Sequence, residues 1–233
     1  ISGGTLLGAV RHGGFIAWDD DMDIQMLRGE YDRFSDLWNK TKSEHPFELV
    51  SIESGNSMGY SFGKIHNPKT ITILYGVERT GVFVDIFPLD DVLDDEDFAE
   101  RRKILKSLLK KTRWAFLMST RKSSRLSLYR LVKGFFATWG RPRKYFANRI
   151  NEVAKCKNGQ GGEKVFEMVS GLRCKQPMNK KVFEEYEDIK FENRKYMAVK
   201  DYDYYLTSTF GDYMTPPPIE KQVSNHDFVP YWK

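Results

Sequence analysis

The segment Gly3-Gly4-Thr5-Leu6-Leu7-Gly8-Ala9-Val10-Arg11-His12, followed closely by Trp18-Asp19-Asp20-Asp21-Met22-Asp23-Ile24, constrains this chain more than any other. It sets a glycine turn and a helix start just ahead of four acidic side chains in five positions. From Asp21 the pattern runs acid–apolar–acid–apolar. On a β-strand alternate side chains point to one face, so Asp21 and Asp23 would share a side, about 6.6 Å apart along the strand. Met22, Ile24 and Met26 alternate with them, which predicts a half-buried segment. Buried carboxylates need a counter-ion, and a metal supplies one. Beside a helix start, the pair outlines a Mg²⁺–phosphate site; the bland alternative is a solvated acidic turn. Asp19 and Asp20 fit turn caps or contacts to the ligands better than ligands themselves.

A third acid lies far along the chain. Gly81 to Phe87 is the clearest strand, a run of β-branched and aromatic residues interrupted only by Asp85. A lone buried acid is costly unless paired, and its partner could be an Arg as easily as a metal. Beside a same-face pair it becomes the natural third ligand. Gly3-Gly4-Thr5 reads either as a tight turn with Thr5 as helix cap or as a place where backbone approaches phosphate closely. Arg11 and Lys64 are candidate phosphate contacts, Arg because its planar fork matches two oxygens, although most Lys and Arg are merely solvated. His12, His66 and His226 read first as ordinary polar residues; His226 is the most interesting, given where the tail could fold. Cys156 and Cys174, with no CxxC and no nearby His, fit free thiols in a reducing compartment.

The 233 residues, 40% of them hydrophobic, suffice for one generous domain or for one domain with a sizeable insertion. No signal peptide and no bilayer-length apolar run is visible; with Ile1 directly at the glycine turn, the missing signal carries little weight. Net charge is +5, unevenly spread: residues 101–150 hold 16 Lys/Arg and no Asp/Glu, against 21 basic and 32 acidic residues elsewhere. Such a block suggests an anionic partner: membrane surface, nucleic acid or polyanionic glycan. Periodicity predicts helices over Thr5–Arg11, over Tyr31–Lys42 with Phe34, Leu37 and Trp38 as its stripe, and over Asp201–Phe210. It predicts short β-runs at Phe47–Ile52, Tyr60–His66 and Thr70–Tyr75, and an acidic turn from Asp90 to Asp97. Three helices are expected in the basic block. Leu128, Leu131, Val132, Phe135, Phe136 and Trp139 share one face of the second, the composition of an interfacial helix. Attachment to an anionic membrane and burial in the core are both open for this face.

The run Gly-Gly-Thr-Leu-Leu-Gly-Ala-Val-Arg-His with Trp-Asp-Asp-Asp-Met-Asp-Ile closely resembles the signature of the LicD family of phosphocholine transferases. That family belongs to the nucleotidyltransferase-fold superfamily, together with fukutin and the fukutin-related protein. Gly3-Gly4, Asp21-Met22-Asp23-Ile24 and Asp85 match its glycine turn, paired acids and third acid in order. The tail from Tyr202 to Pro218 resembles the family's closing segment, and His226 falls where such proteins often carry a histidine. Ala17 departs from the proline usual before the Trp, and the resemblance is weak across the basic block, which reads as a lineage-specific helical region.

The resemblance implies an α+β fold: a nucleotidyltransferase-like mixed sheet flanked by helices, one domain over 1–233, with a basic helical insertion at about 98–157. It implies transfer of phosphocholine, or a similar phospho-alcohol, from CDP-choline or another CDP-alcohol to a sugar hydroxyl of a cell-surface glycan, such as lipopolysaccharide or teichoic acid, or its lipid-linked precursor. Asp21, Asp23 and Asp85 would hold Mg²⁺ (or Mn²⁺), and Asp85 is also suited to take the acceptor proton. Gly3, Gly4 and Thr5 would cradle phosphate, with Arg11, Lys64 and His226 in the substrate-binding set. A lipid-linked acceptor would explain the block as a hold on the cytoplasmic leaflet, placing the protein in the cytoplasm at the inner face of the membrane. Two rivals remain: nucleotidyl transfer to a small molecule or RNA, and a non-catalytic glycan- or nucleic-acid-binding module. Aromatics at helical spacing do not make a base-stacking surface, which disfavours nucleic acid.

Overall fold

Gly13, at φ 75°, ends helix α1 (Gly3–His12) by donating to the Ala9 carbonyl while Gly14 donates to Gly8, a left-handed stop that glycine adopts without a Cβ penalty. These residues belong to a computed structural model that describes residues 1–74, 78–119, 128–170, 176–224 and 230–233. After α1 come strand β1 (Asp23–Leu27) and, directly, helix α2 (Arg28–Thr41). Helix α2 starts three residues earlier than periodicity predicts, and its buried face is Arg28, Tyr31 and Ser35; Leu37 is exposed. The buried guanidinium explains the misreading. Arg28 is held in a fork by Asp90 (2.8 and 3.0 Å), so a charged position acts as the helix's inward anchor.

The main sheet runs β2 (Glu48–Val50), β3 (Gly63–His66), β6 (Phe83–Val92), β7 (Lys164–Phe166) and β8 (Met178–Asn179), with β1 joining β6. The β1–β6 pair is parallel and the others are antiparallel. Strand β6 is its spine and runs past Phe87, where periodicity predicts an end. Pro88 falls between the last β3 pairing at Ile86 and the first β7 pairing at Asp90. One edge of the strand carries no ladder there, a place that tolerates the missing N–H. A smaller sheet joins β4 (Thr70–Leu74), β5 (Glu78–Thr80) and β11 (Pro230–Trp232), and β9 (Tyr186–Phe191) with β10 (Arg194–Val199) forms a hairpin.

Helices α3 (Asp95–Ser119), α4 (Leu128–Thr138) and α5 (Arg143–Lys155) lie between β6 and β7 in the chain, and α6 (Tyr202–Phe210) follows the hairpin. Six α-helices with a mixed sheet make an α+β fold among the described residues. The acidic stretch from Asp90 is not a solvated turn. Asp90 and Asp91 continue β6 and are buried, Asp90 on Arg28 and Asn158, Asp91 on Lys180. The core gathers Leu6 and Leu7 of α1, Phe87, Leu89 and Val92 of β6, Leu105 of α3, Ile150 of α5 and Leu206 of α6. It ties the helical region to the same sheet that carries the acids.

Candidate active site

Asp85 stands in register with Asp23 of β1 on one side and Lys64 of β3 on the other, so three charged side chains form one row across three strands. Residues directly opposite in a sheet share a face. Asp21 lies just before β1, two residues ahead of Asp23, and the backbone there is still tied in: the Asp85 N–H donates to the Met22 carbonyl at 2.8 Å. Carboxylate oxygens of Asp21, Asp23 and Asp85 all lie within 4.8 Å of one another, and all three residues are buried. The structure thus brings together the three acids singled out from sequence.

The start of α1 braces this row. Thr5 is not the helix cap: Ser2 precedes the helix, and the Thr5 hydroxyl accepts from the Asp23 N–H at 2.8 Å. Ser2 N–H donates to the Asp23 carbonyl at 3.0 Å, so the helix start grips both sides of the strand's first residue. The Gly3 N–H donates to the Tyr205 hydroxyl (2.9 Å), which donates onward to Gln25 (2.8 Å). Gly4 is glycine for a local reason: a Cβ there would stand 2.1 Å from the Asp19 carboxylate.

Lys64 is buried and bonds to Asp85 through its ammonium, which sits 3.5 Å from the Phe83 ring centroid and 4.9 Å from that of Tyr60. Burial pushes the Asp85 carboxyl up; Lys64 opposes this, and the nearby Asp23 and Asp21 charges push it further, to about 6. Three buried carboxylates facing one such ammonium form an all-oxygen donor set of the kind that hard divalent cations take. The residues fit a metal.

Arg11 stands elsewhere. It lies about 12 Å along the helix from Gly3, and its guanidinium donates to the Tyr213 carbonyl at 2.8 Å. Along α1 runs a cleft of about 400 Å³ lined by Gly4, Arg11, Trp18, Asp19, Phe210 and Tyr213. The tail reaches the acidic turn as well, where the Ser224 hydroxyl donates to Asp20 at 2.8 Å. His12 packs edge-on to Trp18, and His66 pairs with Glu48 at 3.3 Å. Burial lowers the pKa of both rings. Cys156 is a free, exposed thiol; His226 and Cys174 lie outside the described residues.

Sequence reasoning missed Tyr205 and Gln25, which brace the helix start, and the aromatic seat of Lys64. No local pattern marks Tyr205, which meets Gly3 across some two hundred residues. Arg143 also sits over Tyr60, 4.4 Å from its centroid, bringing the start of α5 to the lysine's surroundings.

Residues 1–122 match the LicD/FKTN/FKRP nucleotidyltransferase domain. The lipopolysaccharide cholinephosphotransferase LicD of Haemophilus influenzae is 29% identical over 239 aligned positions, covering 97% of this chain and 85% of that protein. No solved structure matches the chain significantly.

Proposed function

Because this chain belongs to the LicD/FKTN/FKRP nucleotidyltransferase-domain family, we propose that it transfers phosphocholine, or a similar phospho-alcohol, from a CDP-activated donor to a sugar hydroxyl of a cell-surface glycan or its lipid-linked precursor. The observation that carries this reading is the row of buried acids, with Asp21, Asp23 and Asp85 inside 4.8 Å and Lys64 as their neighbour. The name of the relative that covers nearly the whole chain supports the choline head group and the glycan acceptor. The mixed sheet with two acids on β1 and its approach and a third on β6 suits a nucleotidyltransferase-like fold.

In this reaction the acceptor oxygen bonds to the phosphorus of the phosphocholine group, the bond from that phosphorus to the bridging oxygen breaks, and CMP leaves. Such chemistry asks the protein for positioning and charge neutralisation more than for covalent participation. Mg²⁺, or Mn²⁺, when bound, would neutralise the donor diphosphate and polarise the transferred phosphoryl group. Asp21 and Asp23 would hold it from one side and Asp85 from the neighbouring strand. Asp85 would also accept the proton of the acceptor hydroxyl. Lys64 supplies fixed positive charge behind this row. Gly3, Gly4 and Thr5 form the wall beside the acids, the cleft leading to Arg11 receives the donor, and His226 joins the substrate-binding set by resemblance.

Asp21→Asn and Asp23→Asn are expected to abolish Mg²⁺-dependent CMP release from CDP-choline while circular dichroism and melting remain those of a folded chain. Unchanged turnover in both variants removes the assignment. A thermal-shift screen of CDP-alcohols and nucleoside triphosphates with Mg²⁺ separates the donor class; stabilisation by triphosphates alone would favour nucleotidyl transfer instead.

A further inference from the structure

Helix α4 is turned inside out. Its two buried positions are Gly134 and Thr138, small residues one turn apart, and a Cβ on Gly134 would come within 3.1 Å of both Met118 and Trp114 of α3. This small face lets α4 lie close on α3. The large side chains point the other way. Leu128 is 76% exposed, and Tyr129, Val132, Phe135 and Phe136 are exposed along the same stripe, at helical spacing. Trp139, just past the helix end, is 77% exposed and holds φ 50°, a conformation that glycine takes freely and tryptophan does not. The sequence left burial and exposure of these aromatics open; the structure exposes them.

Cations border the stripe. Arg130 and Lys133 are exposed on α4 itself, with the Lys133 ammonium 5.7 Å from the Tyr129 ring centroid. Arg141 follows, stacked 4.5 Å over Tyr145. All of this lies in the stretch 101–150, with its 16 basic and no acidic residues. An aromatic and aliphatic stripe flanked by Lys and Arg on a helix lying flat on the protein matches a lipid interface with anionic head groups: apolar side chains enter the acyl boundary while cations meet phosphate. No helix among the described residues is long and apolar enough to cross a bilayer.

The same surface leads to the acids. From Trp139 the chain turns through Gly140 to Arg143, whose guanidinium packs against both Phe116 of α3 and Tyr60. The Lys64 ammonium also sits against Tyr60 and bonds to Asp85. The Tyr60 ring thus contacts both Arg143 at the start of α5 and the Lys64 that bonds to Asp85.

We propose that the exposed face of α4 docks on an anionic bilayer and holds the acid site beside acceptors anchored in that bilayer. The second half of this statement rests on the transferase reading above, whereas the docking does not. The full chain is tested by flotation with vesicles of phosphatidylcholine alone and of phosphatidylcholine mixed with phosphatidylglycerol. Binding is expected to the mixed vesicles and to fall steeply with salt. Phe136→Ser combined with Trp139→Ser is expected to lower partition about tenfold or more, with CMP release from soluble CDP-choline unchanged. Arg130→Gln combined with Lys133→Gln, which leaves the packed face of α4 intact, is expected to remove the preference for anionic lipid. Equal partition onto both vesicle types, or undiminished binding by both double variants, overturns the proposal. So does a lipid-independent dimer that the Phe136/Trp139 variant dissolves, which would make the face a contact between two copies. Vesicle binding retained in a chain that releases no CMP would sink the transferase reading and leave the docking standing.

Discussion

Asp85 carries the sharpest constraint at the scale of a single residue. In the folded chain its carboxyl is pushed up to about 6 from the ordinary 3.8, first by burial and then by Asp23 and Asp21, against the pull of Lys64. Between those values the folded chain binds more protons than the unfolded one. Without metal, this group therefore lowers stability as pH rises through that window, and the loss is complete above the folded value. A cation held by ionised Asp85 offsets the penalty. The Mg²⁺-induced rise in melting temperature is expected to be small at pH 5 and clearly larger at pH 7; equal rises at both would show that Asp85 is not a ligand. The acids were legible in the sequence because a polar residue interrupting an apolar strand is conspicuous. Lys64 was legible as a candidate phosphate contact but not as the partner of Asp85, since that pairing and the Phe83 ring beneath its ammonium come from β6, remote in the chain.

At the scale of elements, α1 shows how two glycines in one helix serve different ends. At Gly4 the obstacle to a Cβ is the tip of the Asp19 side chain, at Gly8 the carbonyl oxygen of Gly14, 2.4 Å away. A side chain can swing aside and a backbone stop cannot. Gly4→Ala is expected to melt near the parent temperature but to slow CMP release by displacing Asp19 from the cleft wall. Gly8→Ala is expected to lose about 1–3 kcal/mol in urea denaturation, as overpacking does. The Arg28–Asp90 fork joins α2 to β6 with both partners out of water. Arg28→Met strands a buried carboxylate and is expected to cost about 3–5 kcal/mol, while Arg28→Met with Asp90→Leu recovers most of it. A double variant no more stable than the single one would mean that Asn151 and Asn158, which also touch this pair, hold the junction instead. Patterning alone could not show this fork, because charged residues read as surface wherever their partner is remote.

Across the whole molecule, most elements near the acids were visible as short periodic runs, while the α+β class came from the family resemblance. What patterning could not show is how β6 is shared. Its first half belongs to the acid row and its second half binds β7, with Arg28 and Arg101 reaching its end. Nor does periodicity say which way an amphipathic helix faces when both its sides can be covered. On α4 that was decided by Gly134 and Thr138, two small residues that an apolar-stripe count passes over. The Asp23–Asp85–Lys64 row has a further consequence for how such chains can change length. Side chains alternate between the two sides of a strand, so one residue gained or lost between Asp23 and Leu27 would shift the parallel pairing and send an acid to the opposite surface. Changes of length should therefore be absent from this short interval, even at positions where the amino acid itself is exchangeable.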